Sequence, residues 1–264
     1  SRWAFILVTI GSAVGLGNIW KFPYMRGANG GSAFVLVYLA CIALIGVPLL
    51  MAESLLGRRG QGSPVGSMRV LADEAGAQRI WQVIGHLGVI GALLILSFYS
   101  VVSGWVLEYM VRAFVGFSPL PKEAFGKAFS DLLADPGRMI LWHTVFMGLC
   151  ASVVIGGVSG GIERANKVMM PALFVILVFL LAYGAFAADL PAAFRFLFHF
   201  DPAALNRGVI LAAMGHAFFT LSLGMGAILT YGSYLGRDVS IPRTCLYVAG
   251  ADTLVALLSG LSIF

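Results

Sequence analysis

GSAVGLGN, at residues 11–18, is the stretch that decides the fold of this chain. It lies inside an apolar run, residues 3–24, that is long enough to cross a bilayer. Three glycines in seven positions weaken a helix at a depth where no water satisfies free backbone groups. Membranes tolerate such groups only where they line a buried or wet cavity, and there they can bind a ligand or an ion. The alternative, that these glycines are simple packing points, stays open.

A second interruption, SLGMG at residues 222–226, lies in another apolar run. Two interrupted membrane segments in one chain are typical of a transporter's binding site. Composition agrees, because 59% of the 264 residues are hydrophobic and 11% are charged, whereas soluble domains carry about 25% charged residues. The net charge of +5 comes without a basic stripe, so we expect a lipid bilayer and no nucleic acid as partner.

Long apolar runs alternate with short polar connections, which predicts an all-α polytopic membrane protein. Spans are expected near residues 3–24, 33–57, 82–112, 139–157, 167–187, 207–235 and 241–263. Basic residues divide almost evenly between the two sides, and the pair Arg58-Arg59 alone favours a cytoplasmic N-terminus. We therefore expect a multi-pass protein of the cell's inner (plasma) membrane with its N-terminus in the cytoplasm.

Polar side chains accompany both breaks and the last span. Asn18 follows the first break, and Thr220 and Ser222 begin the second. Asp252 is an acid in an otherwise apolar run, and an intramembrane acid is functional by default. Amide, hydroxyl, carboxylate and backbone oxygens suit a hard alkali cation, and N–H groups at the start of a half-helix suit a carboxylate. A site for both predicts cotransport of a zwitterion with a cation.

Structural roles for the polar residues stay open beside the functional ones. Thr220 and Ser222 can bond back to their own helix, and Asp252 can pair with a polar neighbour. Glu53, near the end of the second span, is expected to pair with free backbone groups of the first span. His216 is expected to be a hydrogen-bonded packing residue, because no second ligand lies one helical turn away.

Three motifs resemble the neurotransmitter:sodium symporter family in its prokaryotic branch, which includes the bacterial leucine transporter. They are SAVGLGNIWKFPY at residues 12–24, NGG at 29–31 and FFTLSLGMG at 218–226. The similarity runs along the whole chain, and the first motif is highly specific. The resemblance implies an inverted-repeat transporter fold, built from two five-helix repeats with unwound first and sixth helices.

The resemblance also implies a domain organisation. Residues 1–187 would form the first repeat, with the first five spans. Residues 188–206 would be an external connection, and residues 207–264 would form the first two helices of the second repeat, with the remainder absent. The chain is therefore expected to be part of a longer protein.

An amino-acid site follows from the resemblance. The substrate carboxylate would meet the N–H groups around Leu16 and Gly17 and the hydroxyl of Tyr99. The ammonium group would meet backbone carbonyls on both broken helices. The implied substrate residues are Ser12, Ala13, Leu16, Gly17, Ile95, Tyr99, Phe219, Thr220, Ser222 and Met225.

The resemblance further implies two Na+ sites and an outer gate. The first ion would be held with the help of the substrate carboxylate, and the second by two carbonyls and by ligands on a later helix. Phe219 would cover the substrate, and Lys21 matches the family's basic gate residue. The implied sodium ligands are Ala13, Asn18, Thr220 and Asp252 for the first ion and Gly11 and Val14 for the second.

The resemblance also implies a substrate class. Relatives that carry amines without a carboxylate have an aspartate at the position of Gly15. With glycine there, the substrate is expected to bring its own carboxylate, which favours an amino acid. The family's chloride site would include Ala256, whose side chain cannot donate a hydrogen bond to an anion, and His216 in place of the usual amide. Chloride-dependent relatives use the bound anion to balance the cations, and here Asp252 supplies a fixed negative charge. We therefore expect sodium-coupled symport of a neutral, hydrophobic or aromatic amino acid by alternating access, without chloride.

Two alternatives come from other functional classes. An intramembrane aspartyl protease needs two facing aspartates, and Asp252 is the one aspartate that the sequence places at membrane depth, so we expect no enzyme. A sodium-responsive amino-acid sensor or a channel-like protein can use the same scaffold. Accumulation driven by a sodium gradient separates a symporter from both.

Overall fold

The computed structural model describes residues 10–11, 13–29, 31–116, 122–187, 190–198 and 204–263. Within these ranges the regular secondary structure is helical and no strand is present. A chain in lipid must satisfy its backbone hydrogen bonds within each segment, which favours helices. The segments long and apolar enough to cross a membrane are Ser32–Gly60, Arg79–Val115, Pro136–Ile155, Gly160–Ala187 and Ile241–Ile263.

The helices follow one another with short connections. In chain order the described α-helices are α1 (Phe22–Ala28), α2 (Ser32–Cys41), α3 (Val47–Gly60), α4 (Pro64–Glu74), α5 (Gln82–Gly116), α6 (Lys122–Leu133), α7 (Pro136–Ile155), α8 (Glu163–Ala187), α9 (Leu190–Phe198), α10 (Arg207–Thr220), α11 (Ala227–Ser233) and α12 (Ile241–Ile263). Among the described residues, wider π-helical turns lie at Gly17–Lys21, directly before α1, and at Ile42–Gly46 and Gly157–Ile162, and a 3-10 turn lies at Arg79–Trp81.

The two remaining predicted spans are the interrupted ones. In the first, Val14 and Gly15 lie outside regular helix, and the π-helical turn Gly17–Lys21 leads into α1. In the sixth, α10 stops at Thr220 and α11 begins at Ala227. The predicted fold with unwound first and sixth helices is therefore confirmed for the described residues.

The chain divides into two compact units, of which the larger joins Ser1–Gly91 to Glu163–Phe264. Its helices pack in pairs: α3 against α11, α2 against α10, and α12 against α8 and the first π-helical turn. Phe22, Tyr38 and Val248 are completely buried in its core. This unit holds both breaks. The division of the chain into inverted repeats stays a prediction.

The smaller unit, Ala92–Ile162, is built on α5 and α7. A Cβ atom on Gly104 would lie 3.1 Å from the backbone nitrogen of His143, so the two helices approach closely. Glu108 is buried and forms ion pairs with Arg112, at 2.6 Å, and with Arg138. The latter pair joins α5 to the first turn of α7.

Glycines bring α3 and α11 into backbone contact. A Cβ atom on Gly57 would overlap the carbonyl oxygen of Leu229, and one on Gly232 would lie 2.7 Å from the carbonyl oxygen of Ser54. Both obstacles are backbone atoms, so only a separation of the helices could relieve them. Small residues allow such close packing where lipid supplies no hydrophobic drive for helix association.

Gly57→Ala is therefore expected to destabilise the complete protein by about 1–3 kcal/mol, the usual cost of overpacking. Thermal unfolding of the purified protein in detergent measures this as a lower Tm. Gly250→Ala on α12 is the matched control, because a Cβ atom there would meet nothing within 4 Å. Equal Tm values for the two variants would show that the α3–α11 contact is not close-packed.

Candidate functional site

The first break releases two backbone carbonyls. The N–H of Gly15 donates to Asn18 Oδ1 at 3.0 Å, and the N–H of Asn18 donates to the carbonyl of Gly15 at 3.1 Å. In an unbroken helix these donors would bond four residues back, to the carbonyls of Gly11 and Val14. Both carbonyls are thus free of their usual helical partners, and Asn18 closes the break through its side chain.

The second break releases the carbonyl of Thr220 in the same way. Ser222, Gly224 and Gly226 have φ values of 54°, 76° and 72°, a conformation that ends the helix. The N–H of Gly224 would donate to the carbonyl of Thr220 in a continuous helix. It donates instead to Glu53 Oε1, at 2.8 Å. Glu53 thereby holds the break open.

The prediction that Glu53 pairs with the first span is wrong, because its carboxylate bonds to the sixth segment. The reason is the packing of α3 along α11, which brings Glu53 beside the turn that precedes α11. As expected, Glu53 accepts a hydrogen bond from the backbone of a broken helix, but this helix is the sixth segment and not the first.

Three polar residues meet where the two breaks approach α12. Asn18 Nδ2 donates to Asp252 Oδ1 at 2.7 Å and lies 3.1 Å from Thr220 Oγ1. Thr220 Oγ1 lies 3.0 Å from both carboxylate oxygens of Asp252. Tyr38 adds a longer contact, 3.5 Å from its hydroxyl to Asp252 Oδ2. All four residues are buried, with at most 2% of their surface exposed.

The electrostatics of this cluster are unbalanced. Asp252 is completely buried and accepts hydrogen bonds from neutral donors, and it forms no ion pair with any of the residues described. A buried charge is costly unless an opposite charge compensates it. Carboxylate, hydroxyl, amide and backbone oxygens are also the ligands of hard cations. The cluster can therefore accommodate a positively charged ion.

The aromatic ring of Phe219 joins the two breaks. A Cβ atom on Gly17 would lie 3.2 Å from this ring, so the ring rests on the backbone of the first segment. The ammonium group of Lys21 lies 3.7 Å from the ring centroid, within the range of a cation–π interaction. The two residues predicted as a gate are thus in contact.

The other predicted residues occupy different positions. Ala13 and Gly17 are buried, and Leu16, Ser222 and Met225 are partly exposed. Ser12 lies outside the described residues. The two predicted substrate residues on α5, Ile95 and Tyr99, belong to the smaller unit.

The surroundings of the predicted second sodium ligands were not foreseen. Val14 packs against Met170, Leu177 and Val255. A Cβ atom on Gly11 would lie 2.7 Å from the side-chain amide of Asn166 on α8. Asn166 is a polar residue near the start of an apolar span, which the sequence analysis did not consider.

His216 is buried as predicted, with 1% exposure, but not hydrogen-bonded. Its ring lies 5.3–5.9 Å from the ring centroids of Phe22, Phe34 and Tyr38. Neither ring nitrogen has a hydrogen-bond partner among the described residues. His216 is thus a packing residue, as expected, but the expectation that it is hydrogen-bonded is wrong, because aromatic rings surround its ring.

The chain is similar to known proteins along its whole length. The profile described as "Sodium:neurotransmitter symporter family" matches residues 1–131 and 122–264. The uncharacterized sodium-dependent transporter YhdH of Bacillus subtilis is 39% identical over all of this chain and 58% of its own length. The human sodium-dependent neutral amino acid transporter SLC6A17 is 28% identical over all of this chain and 40% of its own length.

A solved structure shows the same fold. The crystal structure of MhsT in complex with L-phenylalanine matches with a TM-score of 0.92 and 48% identity, over all of this chain and 59% of that one. The chain thus spans about three fifths of the length of its bacterial relatives. These relatives are named as transporters and not as enzymes. The chain belongs to the sodium:neurotransmitter symporter family, in its prokaryotic branch.

Proposed function

We propose that the protein is a sodium-coupled symporter of a neutral, hydrophobic or aromatic amino acid, and that this chain carries most of its binding site. The observation that carries the proposal is the buried carboxylate of Asp252, set among oxygen ligands at the two breaks without an ion-pair partner in the described ranges. The names of the relatives agree, since they specify sodium and, for SLC6A17, neutral amino acids.

The first sodium ion would bind at the Asp252 cluster. Asp252 would supply charge, and Thr220 would supply its hydroxyl and its released carbonyl. The amide of Asn18 directs its nitrogen to Asp252 and its oxygen to the N–H of Gly15, so a half-turn that directed the oxygen to the ion would give up the hydrogen bond from Gly15. Ala13 and the substrate carboxylate would complete the ligand set. The ion would thereby link the two broken helices and the substrate.

The second sodium ion would bind at the carbonyls of Gly11 and Val14. Both carbonyls are free of their usual helical bonds because the N–H groups of Gly15 and Asn18 donate elsewhere. Carbonyl oxygens are suitable ligands for a hard cation. Further ligands would come from the part of the fold that lies beyond this chain's match to its relatives.

The substrate would bring its own carboxylate to the first break. Leu16 and Gly17 stand at the start of the helical run that continues into α1, and backbone N–H groups at a helix start bind anions. Gly15 has no side chain and therefore no negative charge to receive a ligand that is only an amine. Ser12, Ser222 and Met225 would shape the remainder of the pocket.

Alternating access would follow from the two breaks, about which the half-helices can tilt. Sodium and substrate would stabilise the occluded form together, with Phe219 and Lys21 closing its outer side. Each sodium ion that moves through about 100 mV supplies roughly 2.3 kcal/mol. We place the protein in the plasma membrane, with a cytoplasmic N-terminus. Residues 1–187 would form the first repeat, residues 188–206 an external connection, and residues 207–264 part of the second repeat.

Equilibrium binding of labelled L-phenylalanine to the complete protein in detergent tests the proposed site. Binding is expected in sodium chloride and sodium gluconate alike, and to be lost in potassium chloride. Equal binding in sodium and potassium would contradict the sodium coupling. Binding that requires chloride would contradict the role given to Asp252 as the fixed negative charge.

A further inference from the structure

The second break is held from the side of α5 by a single glycine. A Cβ atom on Gly88 would lie 3.1 Å from the nitrogen of Gly226, and 3.2 Å from both the carbonyl oxygen of Gly224 and the carbonyl carbon of Met225. These are backbone atoms, which cannot rotate away as a flexible side chain would. The backbone of Met225 therefore rests directly on α5.

The first residue of α4 holds the same break. A Cβ atom on Gly226 would lie 2.8 Å from Pro64 Cγ. Gly85, one turn before Gly88 on α5, meets Pro64 in turn, since its Cβ atom would lie 2.8 Å from the Pro64 carbonyl. Gly226 is thus in close contact with both Pro64 and Gly88.

The backbone of residues 222–226 is positioned by packing contacts more than by its own hydrogen bonds. Ser222, Gly224 and Gly226 all have positive φ, and the N–H of Gly224 bonds to a side chain. A break of this kind lacks the regular hydrogen-bond ladder that fixes the position of residues within a helix. The position of Met225 is therefore set by the surfaces that it contacts. A glycine inside a helix costs roughly 0.5–1 kcal/mol relative to alanine, and at Gly88 it permits this contact.

We propose that Gly88 and Pro64 determine which amino-acid side chains the site accepts. They do so by fixing the backbone of Met225, a wall of the proposed pocket, and neither residue contacts the substrate itself. This inference rests on the proposed function. A methyl group on Gly88 would displace the backbone of Met225 from its position against α5, so the acceptance of large substrates relative to small ones would change.

Uptake by the complete protein in proteoliposomes tests this role. For Gly88→Ala, the ratio of kcat/KM for L-phenylalanine to that for L-alanine is expected to change about tenfold, the usual effect of one methyl group in an apolar pocket. The sodium concentration that gives half-maximal uptake is expected to stay unchanged, which a general loss of structure would not allow. Gly91→Ala is the matched control, three residues along α5, where a Cβ atom would meet nothing within 4 Å.

Pro64→Ala provides a second, independent variant. It removes the ring atom that contacts Gly226, so the position of the break and with it the same ratio are expected to change. The double variant Gly88→Ala/Met225→Ala is expected to be non-additive, because the first change acts through the second residue.

A ratio in Gly88→Ala equal to that in Gly91→Ala would overturn the inference and leave the proposed function intact. If Gly88→Ala does not fold, an unchanged ratio in Pro64→Ala overturns it equally. If the unmodified protein accumulates neither amino acid under a sodium gradient, the proposed function fails, and the inference fails with it.

Discussion

Asp252→Ala is expected to reduce sodium-dependent amino-acid uptake to the background level. The change removes the one charged side chain of the proposed first sodium site and leaves the donors of Asn18 and Thr220 without their acceptor. Loss of even an outer-shell partner typically costs 10–100-fold in metal affinity, so a loss of roughly that size or more is expected for sodium. Uptake of labelled L-phenylalanine into proteoliposomes at increasing sodium concentrations measures it.

Two further variants make this result interpretable. Asp73→Ala removes an exposed carboxylate that pairs with Arg79 on the surface, and it should leave uptake unchanged. Asp252→Asn keeps an oxygen ligand but loses the fixed charge, so sodium-dependent uptake should persist and require higher sodium concentrations. Normal uptake by Asp252→Ala would exclude the cluster as the sodium site.

Glu53→Ala is expected to weaken amino-acid binding by up to about tenfold, because a hydrogen bond contributes roughly 0.5–1.5 kcal/mol net. The N–H of Gly224 would lose its acceptor, Glu53 Oε1. In a continuous helix this N–H pairs with the carbonyl of Thr220, and that pairing would rebuild the helix across the second break. Sodium-dependent equilibrium binding of L-phenylalanine to the complete protein measures the loss.

Glu53→Gln is the informative comparison, since its amide oxygen can still accept from Gly224. It should retain most of the binding that Glu53→Ala loses. Glu74→Ala removes an exposed acid that pairs with Arg59, and it should bind as the unmodified protein does. If Glu53→Gln were as defective as Glu53→Ala, the charge of Glu53 would matter more than its hydrogen bond.

Local sequence patterns predicted the two breaks well. Glycine runs inside apolar segments identify places where a helix cannot continue in lipid, and this property depends on neighbouring residues alone. The polar residues at those places were recognised for the same reason. Asn18, Thr220 and Asp252 stand out against their apolar neighbours even though residues 18 and 252 are 234 positions apart in the chain.

Contacts between distant segments could not be predicted from the pattern. Glu53 was assigned to the wrong break, because which helix lies beside α3 is a property of the tertiary packing. The backbone contacts of Gly57 and Gly88 were missed for the same reason. An isolated glycine in a membrane helix has the same sequence signature whether its Cβ position faces backbone or open space, as Gly88 and Gly91 demonstrate.

Concentrative uptake tests the central claim most directly. The complete protein would be reconstituted in proteoliposomes, and labelled L-phenylalanine and L-leucine would be supplied outside with an inward sodium gradient or an equal potassium gradient. A sodium-coupled symporter is expected to accumulate at least one of them above the external concentration with sodium, and neither with potassium. Equilibration without accumulation, or equal uptake in both gradients, would contradict symport and favour a channel-like protein or a sensor on the same scaffold.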